Sequence, residues 1–143
     1  MIRFSKKYIK KTSRDVSVLA LESAILVKYG LRNKTELSKA RGFVQKYLKL
    51  NRTAEVGSAT YMTAFAKLVK LGVLPENFSD QEIHTLKVEN FLKRRLQTIV
   101  SVTKEVTPSC ARQLITHGQV KVNGVIKRYP SYLIRLDSEI TFK

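Results

Sequence analysis

The chain has 143 residues, and its 27 Lys and Arg outnumber 11 Asp and Glu, giving a formal charge of +16. Hydrophobic residues make up 43%, enough for a core, which excludes wholesale disorder. One Cys and two His exclude an internal disulfide and a four-ligand zinc site of Cys and His. The apolar run from Val16 to Val27 is broken by Ser17, Glu22 and Ser23, short of the roughly 18 residues a membrane span needs. The basic N-terminus lacks the apolar block and cleavage site of a secretory signal. A mitochondrial presequence stays open, because residues 1–14 carry no acid.

So large a charge repels itself in the folded state unless something anionic neutralises it. Nucleic acid comes first, since phosphate neutralisation releases counterions. A membrane surface fits less well: a polybasic anchor concentrates its charge at one end, and here the excess runs through the chain. We therefore expect no membrane partner.

Residues 1–14 form a cationic arm with Arg3, Lys6, Lys7, Lys10, Lys11 and Arg14, expected to order only on its partner. Residues 15–30 read as a helix with apolar Val18, Leu19, Leu21, Ile25 and Leu26, and Gly30 as its stop. Asn33 opens a capping box with Glu36. The helix that follows carries Leu37, Ala40, Val44, Tyr47 and Leu48 at spacings of three and four, down to about Leu50. Its other face carries Lys34, Lys39, Lys46 and Lys49, with Arg41 nearby. Thr53 to Ser58 connects to a third helix from Ala59 to Leu71, closed by Gly72. Leu74-Pro75 starts a loop, and Ser79 with Glu82 forms a second capping box.

The last third changes character. Val88, Phe91, Leu92, Leu96 and Ile99 mark one face of a helix. Thr107-Pro108 opens another, threonine capping and proline at the first helical position. Its inner face is Cys110, Ala111, Leu114 and Ile115, and Gly118 ends it. The period then drops to two at Val120 and Val122. Asn123-Gly124 signals a tight hairpin, and Val125 and Ile126 return. Tyr132, Ile134 and Leu136 alternate again, and Ile140 with Phe142 suggests a final strand. The expected fold class is α+β: a helical region over 15–86, then a compact ααβ unit over 87–143 with a small antiparallel sheet.

The surface of that unit is cationic. Residues 88–135 hold nine basic residues and two acids, Glu89 and Glu105. Arg94, Gln97 and Ser101 fall opposite the apolar side of the first helix. Ser109, Arg112, Gln113 and Thr116 make a polar stripe on the second. His117 follows at its exit, and Lys121, Asn123, Lys127 and Arg128 decorate the hairpin. Arginine forks suit phosphate oxygens, while Gln, Asn and Ser read sugars and base edges. Arg95 lies at the core edge between Phe91 and Ile99, where it either pairs with an acid and holds the fold or meets the ligand. Cys110 reads as a small core residue. No glycine-rich phosphate loop, nucleophile elbow or metal-ligand cluster is present, and the acids form no convincing catalytic pair.

Two stretches, Phe91 to Val100 (FLKRRLQTIV) and Ala111 to Gly124 (ARQLITHGQVKVNG), together with Pro130 to Ile134 (PSYLI), resemble the S4 RNA-binding domain. Upstream, Tyr29 to Leu37 (YGLRNKTEL) and Leu68 to Leu74 (LVKLGVL) resemble the N-terminal helical region of small-subunit ribosomal protein S4 in its eukaryotic and archaeal branch. The resemblance implies a structural ribosomal protein with no cofactor and no catalysis. It implies a primary binder of small-subunit ribosomal RNA that joins early in assembly and grips a junction in the RNA's 5′ domain. It also implies contacts with neighbouring small-subunit proteins and with messenger RNA where that strand enters the subunit. The location implied is the cytoplasmic ribosome, with nucleolar assembly if the source is eukaryotic. On this resemblance Arg94, Arg95, Ser109, Arg112, Gln113, His117, Lys121 and Asn123 match the RNA-facing motif. Lys6, Lys7, Lys10, Lys11, Arg14, Arg32, Lys34, Gln97, Lys127 and Arg128 complete the expected RNA-binding set. The chain departs from the family where Glu105-Val106 replaces a usual Gly-Leu-Ala turn, one residue shorter. It also stops at Lys143, where eukaryotic members continue into a basic tail. The alternatives are a nucleolar ribosome-biogenesis relative with the same layout and an RNA-modifying enzyme; residues 1–87 are short and poor in acids for the latter.

Overall fold

A computed structural model describes residues 15–55 and 57–143. The expected arm, with Lys6, Lys7, Lys10, Lys11 and Arg14, lies outside the described residues. Helices α1 (Val16–Lys28), α2 (Lys34–Thr53), α3 (Ala59–Lys70), α4 (Asp80–His84) and α5 (Val88–Lys93) come first. Helices α6 (Leu96–Thr103) and α7 (Pro108–Thr116) then lead into strands β1 (Val120–Val122), β2 (Val125–Ile126) and β3 (Ile140–Phe142). The architecture is α+β, as the patterning predicts. No helix among the described residues is long and apolar enough to cross a membrane.

Three packed clusters hold it together. The first joins α2 to α5 through Val44, Tyr47, Tyr61, Phe65, Leu68, Ile83 and Phe91. Its rings touch in series, Tyr61 to Phe65 at 4.4 Å, Phe65 to Tyr47 at 6.1 Å and Tyr47 to Phe91 at 6.1 Å. Such pairs add about 0.5–1.5 kcal/mol each beyond the area they bury. The second packs α6, α7 and the sheet through Leu96, Val100, Ala111, Ile115, Val120, Val122 and Ile134. The third lies between them: Tyr29, Leu31, Leu37, Ala40 and Leu92. α1 is apolar on both sides. Ile25 and Leu26 pack inward while Val16, Leu21 and Val27 stand exposed.

The sheet runs antiparallel in the order β2-β1-β3. Asn123 and Gly124 both take positive φ, 50° and 76°, as a two-residue hairpin turn demands. Val122 therefore faces Val125 on one side and Ile140 on the other. Thr107 accepts from the Cys110 backbone N–H at 3.3 Å, and Pro108 opens α7, as expected. The Ser79–Glu82 box also forms, Ser79 N–H donating to the Glu82 carboxylate at 2.8 Å.

Three expectations need correction. The single helix through Val88 and Ile99 is broken at Arg94 and Arg95. The segment 130–134 lies against the break and takes its backbone groups. Leu96 N–H donates to Tyr132 O at 2.7 Å, Gln97 N–H to Pro130 O at 3.2 Å, and Ile134 N–H to Arg94 O at 3.0 Å. The alternating Tyr132, Ile134 and Leu136 thus join no strand of the sheet; the segment makes one isolated bridge, Leu133 to Arg95. The Asn33–Glu36 box forms only by half. Asn33 caps Glu36 N–H at 3.3 Å, but the Glu36 carboxylate turns elsewhere.

Candidate nucleic-acid interface

Glu36 turns to two arginines far along the chain. Arg95 Nη2 donates to it at 2.9 Å, and Arg112 Nη2 lies 3.2 Å from both its oxygens. Arg112 Nη2 also lies 3.1 Å from Gln97 Oε1 and 3.3 Å from Gly30 O. That is more acceptors than one nitrogen has hydrogens, so they are shared. Gln97 Nε2 donates to Gly30 O and to Pro108 O, each at 2.9 Å. The Gly30–Glu36 stretch is thereby fastened to α6 and α7. Gly30 has to be glycine: its φ is +58°, and a Cβ there would lie 2.4 Å from Pro108 Cβ and 2.6 Å from Gln97 Nε2. Burial pushes the Glu36 carboxyl up, but Arg95 and then Arg112 outweigh it, so its pKa lies below the ordinary value. Burial likewise lowers the Arg95 pKa, with Glu36 opposing.

This joint redirects two residues expected on the outer surface, Gln97 and Arg112, and settles the role of Arg95. Gln97 is fully buried rather than opposite the apolar side, because the break at Arg94–Arg95 turns α6 off the line of α5. Arg95 is 5% exposed and holds the fold, one of the two roles left open for it. Arg112 is half-buried and engaged with Glu36. Arg94 Nη2 donates to Ile134 O at 3.2 Å, and its buried Nε has no partner. The other acids near cations are similarly engaged. Glu22 meets Arg41 at 2.6 Å and Lys34 at 3.6 Å, and Glu89 meets Lys28 at 3.6 Å and the Tyr29 hydroxyl at 3.2 Å. The Arg41 hydrogen bond, against the pull of burial, holds the Glu22 pKa below its ordinary value.

The remaining candidates stay outside. Ser109, Gln113, Thr116 and His117 form an exposed stripe along α7. Gly118 follows with φ +73°, and Arg128 Nε lies 3.3 Å from where its Cβ would stand. The α7 exit and the end of the hairpin therefore form one surface. Lys121 and Lys127 are half-buried and Arg128 exposed; Lys127 Nζ sits 5.3 Å from the centre of the Tyr132 ring. Asn123 is exposed, but its side chain accepts from Glu139 N–H at 2.8 Å and braces the turn. Arg32 and Lys34 are exposed, Lys34 reaching Glu22 at 3.6 Å. Among the described residues the exposed Lys39, Lys46, Lys49 and Arg128 enter no ion pair, whereas Glu22 and Glu36 are engaged by cations at contacts between helices.

The family model of the S4 domain matches residues 94–140. Small ribosomal subunit protein uS4 of Korarchaeum cryptofilum is 38% identical over 146 residues, covering 94% of this chain and 87% of the relative. The uS4 proteins of Hyperthermus butylicus and Nanoarchaeum equitans are 37% and 38% identical, each covering 85% of this chain and 72% of the relative. The chain belongs to the uS4 family. The S4 match begins at Arg94, where α5 gives way to α6, and so includes Gln97, Arg112 and Pro108 of the joint but neither Gly30 nor Glu36. Those two are the residues that sequence reasoning missed as parts of the site. Glu36 carried a signal, three positions after Asn33, but it read as a local cap.

Proposed function

We infer that this uS4 chain is a structural, RNA-binding constituent of the small ribosomal subunit. The observation that carries this is the placement of charge: Glu22 and Glu36 are taken up in ion pairs between helices, while among the described residues exposed cations without an ion pair line α2 and the α7–hairpin surface. A rigid body with that exterior clamps phosphates without transforming them. In this reading the helical region 15–86 and the unit 87–143 form one bracket, set at a fixed angle by the Glu36 joint, and the arm 1–14 adds phosphate contacts. We propose further that the chain binds early in assembly, touches neighbouring small-subunit proteins, and meets messenger RNA where that strand enters the subunit. Its working location is then the cytoplasmic ribosome, with nucleolar assembly if the source is eukaryotic. The biogenesis relative and the RNA-modifying enzyme are not favoured: the relatives at 32–38% identity are all named as ribosomal proteins.

The test is binding of the full chain to the 5′ domain of small-subunit ribosomal RNA at graded salt. Log affinity should fall linearly with log salt, with a slope of about −0.7 to −0.9 per phosphate engaged. A flat salt response, or no binding at low ionic strength, overturns the reading.

A further inference from the structure

The turn after the hairpin carries a feature that the α7 surface does not explain. Tyr129 is 72% exposed and Tyr132 40%, on a four-residue turn closed by Tyr132 N–H donating to Tyr129 O at 3.0 Å. Lys127 and Arg128 precede them directly, with the Lys127 ammonium over the Tyr132 ring. The turn is also stiff. Pro130 fixes its own φ, and Pro130 O and Tyr132 O accept from the backbone of α6 at 3.2 and 2.7 Å. On the other side Lys127 N–H is held by Val120 O at 3.2 Å. Two exposed aromatic rings thus stand on a braced loop, Tyr132 under the Lys127 ammonium and Tyr129 next in sequence to Arg128.

A single exposed aromatic side chain is ordinary. A pair on a pre-ordered turn flanked by phosphate-binding charge is the arrangement that single-stranded nucleic acid uses, a base on the ring and its phosphate on the cation. Bracing lowers the ordering cost of binding. A base inside a duplex has both faces covered and cannot use such a ring. We propose that Tyr129, supported by Tyr132, Lys127 and Arg128, is a stacking platform for an unpaired RNA base. The proposal rests on the RNA-binding reading above and adds the class of RNA taken at this place, an unpaired nucleotide beside the helical RNA gripped elsewhere.

The chain has no Trp, so Tyr129→Trp gives a single reporter. The full-length variant is titrated with a short oligoadenylate and with an RNA duplex of the same length at one salt concentration. The single strand should quench the emission, and the duplex should bind and leave it unchanged. Tyr129→Ala should weaken oligoadenylate binding roughly tenfold, with Tyr129→Phe restoring it and the salt slope unchanged. Arg128→Ala should weaken both RNAs and flatten the slope. Unchanged oligoadenylate affinity in Tyr129→Ala, or equal quenching by the duplex, overturns the platform and leaves RNA binding standing. Failure of the unmodified chain to bind either RNA sinks both.

Discussion

Two groups of polar residues in the last third look alike in the sequence and do opposite work. Arg95, Gln97 and Arg112 turn inward onto Glu36 and Gly30, whereas Ser109, Gln113, His117 and Arg128 stay in solvent. Both groups are hydrogen-bonding and poor in acid locally. What separates them is an acid and a carbonyl from outside the unit, brought in by the fold. A polar stripe is therefore available to RNA only where no distant carboxylate has claimed it. Arg112 and Gln113 are neighbours in sequence and fall on opposite sides of that line.

The most severe way to break this contrast is to remove the acid. In Glu36→Ala, Arg95 is left buried and charged with no carboxylate. Breaking a buried pair costs about 3–5 kcal/mol. The low end, about 3 kcal/mol, is expected here because Glu36 keeps 23% and Arg112 24% of their side-chain surface exposed. Urea unfolding checks this through the midpoint, and a shift below about 0.5 kcal/mol means the joint does not hold the two units together.

Acid should act on the same joint more gently. The Glu36 carboxyl is held below its ordinary value of 4.5, so its contribution is fully present above that value and is lost as pH falls through the lowered folded one. Glu22, lowered by Arg41, adds a loss of the same sign in the same window. Stability measured from pH 6 down to about 3 should therefore fall, and fall less in Glu36→Gln than in the parent chain. Parallel curves for the two proteins would place the acid sensitivity outside the joint.

How much of this could be read in advance depends on how far each signal reaches along the chain. α7 was legible because Thr107, Pro108 and Gly118 mark both its ends locally. The hairpin was legible because Asn123-Gly124 demands one turn type. The break between α5 and α6 was not, because the groups that cause it sit at Pro130, Tyr132 and Ile134. Apolar spacing across Phe91, Leu92, Leu96 and Ile99 runs through the break undisturbed, and periodicity alone then puts Gln97 on the wrong side. Glu36 lies 59 and 76 residues from its two arginines, beyond any local pattern. The core was thus readable from periodicity, while the joint needed pairings that only the folded chain supplies.

The smallest expected effect on stability sharpens the contrast most. Gln113 is exposed on α7, one residue from Arg112. Gln113→Glu removes no packing, and exposed substitutions of this kind usually stay within about 0.5 kcal/mol. It does set a carboxylate on the face proposed to meet phosphate, where like charge opposes binding. The expected pair of results is an unchanged unfolding midpoint and weaker binding to the ribosomal RNA fragment at low salt, with the deficit shrinking as salt rises, because added ions screen the repulsion. If the variant instead loses stability as Glu36→Ala does, Gln113 belongs with the joint. If it keeps both stability and affinity, the α7 stripe is a solvated face and RNA binds elsewhere on the cationic exterior.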